Sequence, residues 1–312
     1  MASTQSKITP CIWLDNQAEQ AAAFYVRTFP AGRVGATSHY PETSDNPSGK
    51  PRGSVLTVAL DIAGQRFTLL NGGPMFRANP SVSFFVRVDG KADADRLFAP
   101  LADGGKVLME LDAYPWSERY GWVEDRFGVS WQVMAGPRPN DATIVPCLMF
   151  AGEQHRRAEE AMRLYTGIFP GGRIESVERY AAGEGPEGTV KHGRFTVAGQ
   201  EMVAMDSHVE HSFGFNEGVS LQVMCDDQRE VDRYWDALAE GGEHGPCGWL
   251  KDRFGLSWQV VPSRIETWMS SKDTAARDRA FAAIMNMKKI DIGGIQRAFD
   301  GRERARDASP AD

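Results

Sequence analysis

The 312-residue chain has little cysteine and little histidine, four of the first and six of the second. Cys11, Cys147, Cys225 and Cys247 form no C-x-x-C pair, which excludes a zinc knuckle and a thioredoxin-type redox motif. No apolar run approaches the roughly 20 residues that span a bilayer, and residues 1–7 lack the apolar centre of a signal peptide. Both absences lead us to expect a cytoplasmic protein with free thiols and no membrane partner. An excess of positive charge is missing too. The net charge is −7 at pH 7, and the basic residues are scattered or set beside acids. Phosphate contacts need clustered Lys and Arg, so nucleic acid is not an expected partner. The one dense charge run, 302–307, reads as a solvated tail. What is present is ordinary: 42% hydrophobic and 25% charged residues, in a chain long enough for two cores.

The informative feature is a duplication. Ile8-Thr-Pro-Cys-Ile-Trp-Leu14 returns as Ile144-Val-Pro-Cys-Leu-Met-Phe150. Phe29-Pro-Ala-Gly-Arg-Val34 returns as Phe169-Pro-Gly-Gly-Arg-Ile174, and Asp125-Arg-Phe-Gly-Val-Ser-Trp-Gln-Val133 as Asp252-Arg-Phe-Gly-Leu-Ser-Trp-Gln-Val260. The copies differ by loop insertions, with a split expected near 136–140. Expected units are domain one at 1–138, domain two at 139–263, and a helical extension with tail at 264–312.

Each copy holds two similar halves. The first opens with a strand at 8–14, then a helix at about 17–28 with Ala18, Ala21, Ala22, Tyr25 and Phe29 at helical spacing. Strands follow near 33–40, 53–62 and 65–71. The second half repeats that order, from a strand at 82–88 to one at 129–134. The unit is βαβββ, present four times, so an α+β fold is expected. One-sided helices must cover one face of each sheet, leaving the other free to curl into a cup. From Ile265 onward the pattern is helical, and these helices are expected to clasp a domain or a partner chain, which would allow a homodimer.

The βαβββ repeat resembles the vicinal-oxygen-chelate superfamily of glyoxalase I, bleomycin-resistance proteins and extradiol dioxygenases. More narrowly, the chain is similar to the PhnB-like branch described as 3-demethylubiquinone-9 3-methyltransferase. Four stretches carry the likeness: the Ile8-Thr-Pro10 strand; Phe24-Tyr25 with Phe29-Pro30; the segments Gly121-Trp-Val-Glu-Asp-Arg-Phe-Gly-Val-Ser-Trp-Gln132 and Gly248-Trp-Leu-Lys-Asp-Arg-Phe-Gly-Leu-Ser-Trp-Gln259; and Met285-Asn-Met-Lys-Lys-Ile-Asp-Ile292. The resemblance implies tandem glyoxalase-like domains with C-terminal helices. Single-copy relatives usually pair as dimers, so tandem copies can reproduce that pairing internally.

Metal-dependent members take ligands from the first strand, the first strand of the second half and the last strand. Strand alternation places Thr9, Cys11 and Trp13, then Ser83, Phe85 and Arg87, then Gln132 on the cup face. The ligand positions therefore map to Thr9, Ser83 and Gln132 in copy one, and to Val145, Ser220 and Gln259 in copy two. Hydroxyls, amides and a valine are poor ligands for Zn, Fe or Mn, and a slip of two would bring only Cys11 or Cys147. No cofactor is expected. Gln132 and Gln259 instead suit hydrogen bonds to a small molecule or to a loop. Trp13, Trp116, Tyr120 and Trp122 offer an aromatic wall or ordinary core, and the insertion at 107–120 makes the copies unequal, so one cup is expected to bind and the other to be structural.

Two further signals are weaker. Asp206, His208 and His211 form D-x-H-x-x-H, a zinc-capable spacing in a loop. Gly183-Glu-Gly-Pro-Glu-Gly188 matches a nucleotide-loop pattern but precedes a strand rather than a helix, and no S-adenosylmethionine motif is visible. The expected function is small-molecule binding without the usual metal triad; the alternative is an enzyme of the same superfamily.

Overall fold

The computed structural model describes residues 6–42, 49–136 and 144–302. The expected copy boundary near 136–140 falls almost wholly outside these residues, as does the charge run from 303 onward. Four βαβββ units follow one another. The first is β1 (Ile8–Leu14), α1 (Ala18–Thr28), β2 (Arg33–His39), β3 (Val55–Ile62) and β4 (Gln65–Asn71). The second is β5 (Val82–Val88), α2 (Lys91–Ala102), β6 (Lys106–Tyr114), β7 (Ser117–Glu124) and β8 (Ser130–Ala135). The third is β9 (Ile144–Phe150), α3 (Ala158–Ile168), β10 (Arg173–Arg179), β11 (Val190–Val197) and β12 (Gln200–Asp206). The fourth is β13 (Val219–Cys225), α4 (Gln228–Ala239), β14 (Glu243–His244), β15 (Trp249–Lys251) and β16 (Ser257–Pro262). Helices α5 (Ile265–Met269), α6 (Thr274–Met285) and α7 (Ile292–Phe299) complete the chain.

Local chemistry accounts for the repeated turns. Ala63-Gly64 joins β3 to β4 and Ala198-Gly199 joins β11 to β12, with φ of 46°, 82°, 47° and 82°. A two-residue hairpin of this hand needs positive φ at both positions, which glycine adopts freely and alanine only at some cost. The recurring Asp-Arg-Phe-Gly segments have a similar cause. Asp125 is buried, and its Oδ1 accepts from the Phe127 and Val129 amides at 2.8 and 3.1 Å. Its Oδ2 accepts from the Tyr25 hydroxyl at 2.7 Å and the Trp131 indole at 2.8 Å. Asp252 repeats every bond with Phe254, Leu256, Tyr165 and Trp258. The motif therefore ties a turn, a helix and a strand of each copy together; it is structural.

The strands form two eight-stranded sheets, and neither belongs to one copy. The first runs β14-β15-β16-β13-β1-β4-β3-β2, and the second β10-β11-β12-β9-β5-β8-β7-β6. The units of a single copy instead lie back to back. Phe67 of β4 meets Phe84 of β5 at 5.0 Å between ring centroids, and Trp131 packs at a tilt 5.2 Å from Phe84 and 4.9 Å from Phe29. Burying each such aromatic contributes roughly 2–3 kcal/mol. This corrects the expectation of a cup within each copy. Once the helix-side faces of a copy's units are pressed together, the open edges of β1 and β5 point to different sheets. Each edge then finds the other copy: Thr9 lies opposite Gln222 of β13, and Ser83 opposite Cys147 of β9.

The C-terminal helices clasp their own chain. The Cys247 and Gly248 amides donate to the Met287 and Lys288 carbonyls at 2.7 and 2.8 Å. Gln228 of α4 donates to the Ile290 carbonyl and accepts from the Ile292 amide, both at 2.9 Å. Phe281 of α6 packs edge-on against Tyr40, with 6.3 Å between centroids. These contacts hold α5 and α6 over the concave face of the first sheet. Among the described residues no helix is long and apolar enough to cross a membrane.

Candidate functional site

The concave face of the first sheet encloses a cavity of about 590 Å³. Its wall carries Trp13, whose indole donates to the Gly73 carbonyl at 2.7 Å and meets Phe76 and Trp249 edge-on at 5.0 and 5.9 Å. Gly72 makes room for that ring: a Cβ there would lie 2.2 Å from it. Leu70 and Met224 add apolar surface from the strands, and Met269 and Phe281 from the helices above. Lys251 and Glu217 pair at 3.0 Å beside the cavity.

Neutral polar groups form the floor. Thr68 donates to Gln222 Oε1 at 2.6 Å, Gln222 Nε2 to Gln259 Oε1 at 3.2 Å, and Gln259 Nε2 to Ser220 Oγ at 2.8 Å. Beneath this chain lies Cys11, a buried thiol that burial pushes up to about 11, against hydrogen bonds from Gln259 and Ser220 that pull it down. Thr9 and Ser220 are buried as well.

The second sheet carries the equivalent residues with its space filled. Gln132 donates to Ser83 Oγ at 2.8 Å and accepts from the Tyr120 hydroxyl at 2.6 Å. Phe85, Tyr120, Val145, Cys147 and Val203 form a closed apolar cluster, flanked by Trp122 and Met134. The strand registers align Phe85 with Gln222, Val203 with Thr68 and Arg194 with Ala59, and the repeated Gly-Trp segments align Tyr120 with Cys247. Larger side chains thus fill the second cup and smaller ones leave the first open. Arg87 and Arg194 both bond Glu201 Oε1, at 3.1 and 3.2 Å, in a buried ionic cluster. Burial also pushes the Cys147 thiol up to about 12, and raises the Tyr120 phenol.

The expected grouping is therefore corrected. Thr9, Cys11, Trp13, Ser220 and Gln259 belong to the first sheet; Ser83, Tyr120, Trp122, Gln132, Val145 and Cys147 belong to the second, with Trp116 in its β6–β7 turn. Of all these, Trp13 and Gln259 line the cavity. Trp116 is 55% exposed and stacks on Tyr114, and the Trp122 indole donates to Ser130 Oγ, so no aromatic wall joins them to Trp13. The D-x-H-x-x-H loop is corrected too. Both Asp206 oxygens accept backbone amides, from Ala158 at 3.2 Å and Val190 at 2.9 Å, and Asn71 serves α1 likewise through Ala18. His208 lies edge-on to Tyr180, while His211 bonds Ser207 Oγ at 2.8 Å. Among the described residues no group of three or more His, Cys, Asp or Glu converges.

Gln222, Thr68, Phe76 and Trp249 went unpredicted. Alternation from Ser220 points to Gln222, and repetition of the Gly-Trp segment points from Trp122 to Trp249, so both signals were present. The helical cover carried none.

A family model described as 3-demethylubiquinone-9 3-methyltransferase matches residues 6–134 and again 142–261. The chain belongs to that family. A PhnB protein of this family from Bacillus cereus is 31% identical, covering 41% of this chain and 98% of its own, with a TM-score of 0.37. A protein from Pseudomonas aeruginosa is 26% identical over 40% of this chain and 93% of its own, with a TM-score of 0.34. Each spans a single copy. Glyoxalase I from Zea mays covers 82% of this chain and 91% of its own at 11% identity and a TM-score of 0.50, a likeness of fold alone. The fold is the vicinal-oxygen-chelate fold in tandem form. No curated protein matches the sequence.

Proposed function

We propose that this family member binds one small molecule per chain, in the cavity of the first sheet, without a metal ion. One observation carries this: the first cup is open, walled by aromatics and floored by a chain of hydrogen-bonded polar groups, while its duplicate holds a buried apolar cluster at the equivalent points. Pockets of this size with a few placed polar groups suit small ligands. The superfamily's cation does not fit these residues. Thr9 and Ser220 offer hydroxyls, Gln222 and Gln259 offer amides already engaged with each other, and the Cys11 thiol stays protonated near neutral pH. A divalent transition metal needs anionic or imidazole donors. Four free thiols accord with a cytoplasmic setting.

The test is a titration of the whole chain with Nile red, an uncharged apolar fluorophore. One site per chain is expected, unchanged by EDTA and lost in Leu70→Trp, which fills the cavity, with the circular dichroism of the parent retained. Two sites per chain, or full binding by Leu70→Trp, would sink the reading. Catalysis is the second reading, favoured by the family's description. The Gly183–Gly188 stretch joins β10 to β11, so it opens no helix toward a nucleotide. Calorimetric heat from S-adenosylmethionine would restore methyl transfer.

A further inference from the structure

We infer that the cavity takes an uncharged, largely apolar molecule with a flat ring, and that Gln222 reads its single polar group; this deepens the binding reading above and rests on it. The starting point is a difference between the cups. Both keep a glutamine bonded to a serine, Gln259 to Ser220 and Gln132 to Ser83. The closed cup sets Phe85 and Val203 beside its pair, and the open cup sets Gln222 and Thr68 there. A sheet of this fold is thus stable with apolar residues at both positions. Partly buried amides and hydroxyls lose hydration, and are favoured over apolar groups only where something else bonds them.

Gln222 is half-buried and borders the cavity. Its oxygen accepts from Thr68, and its nitrogen donates one hydrogen to Gln259. An amide has two N–H donors and two acceptor lone pairs, so one of each is left over in a residue that lines the cavity. A carbonyl, hydroxyl or neutral amide matches that pair. An ion does not. The floor holds no charge, so an ionised group set on it would lose its hydration with no counter-ion. Carboxylates meet further opposition at the rim. Glu243 and Glu266 are exposed there, and Lys251 is already paired with Glu217. The rings of Trp13, Phe76 and Trp249 would meet the flat part of the guest.

Calorimetry on the full chain with four probes of one frame tests this: naphthalene, naphthol, naphthoate and naphthylmethylammonium. Naphthol is expected to bind at least tenfold more tightly than either ion. Gln222→Leu is expected to weaken naphthol about tenfold and leave naphthalene unchanged. Should that variant misfold, Thr68→Val removes the hydroxyl that orients the amide and is expected to weaken naphthol selectively. An ion that binds as tightly as naphthol overturns the ligand class and leaves the cavity reading standing. Equal weakening of naphthol and naphthalene in both variants overturns the role of Gln222. Failure of all four probes to bind overturns the cavity reading and this inference with it.

Discussion

Asp125 and Asp252 show how a single carboxylate can hold a repeat together. Each accepts four hydrogen bonds, two from the backbone and two from aromatic side chains on separate elements. Asn in place of either would turn an amide N–H toward an indole N–H. We expect Asp125→Asn and Asp252→Asn each to cost about 2–4 kcal/mol in urea unfolding, and to a similar extent. A negligible loss would show that the bonds are not needed. His192 sets a pH dependence. It is half-buried beside Phe85, and burial, then the nearby Arg87 guanidinium, push its imidazole below the ordinary 6.5. The unfolded imidazole then binds protons that the folded one resists, so stability should fall as the pH drops through 6.5. His192→Phe should flatten the fall of the urea midpoint between about pH 7 and pH 5.

At the scale of elements, the cover over the cavity is tied to the sheets partly through side chains. Gln228 clamps the segment between α6 and α7 by two hydrogen bonds, and Trp268 reaches Gln296 at 3.1 Å. Gln228→Ala should raise amide exchange in α6 and α7 roughly tenfold, the equivalent of about one lost hydrogen bond, with the sheet amides unchanged. Uniform exchange across the molecule would mean that the cover does not open separately. Strands and helices were largely legible beforehand, β1 and β5 to the residue, because alternation and the alanine-rich stripe of α1 report burial directly. Faces were legible too: Cys11 and Gln132 point where alternation put them. Partners were not. Alternation tells which side a residue faces and says nothing of which strand its edge will meet, so Thr9 and Ser83 were read into one cup and lie in different sheets. The openness of a cup was hidden for a related reason. It depends on residues such as Ala59 and Arg194, distant in sequence, being compared at equivalent points of two sheets.

For the whole molecule, the pairing of β1 with β13 and of β5 with β9 makes the copies interdependent. Each copy supplies four strands to each sheet. A protease site placed between residues 136 and 144 should therefore leave two fragments that stay together in gel filtration after cleavage. Fragments that separate as folded monomers would contradict the shared sheets. The same pairing bears on synthesis. Ile8 leaves the ribosome more than two hundred residues ahead of its neighbour Val223. The edge of β1 must wait, exposed or guarded by chaperones, until β13 has been made. The second sheet can close first, as soon as β12 is out. The first sheet and its cavity are completed later, by β13 to β16 and the helices that follow, so a nascent chain stalled before residue 260 would carry the second sheet without the cavity.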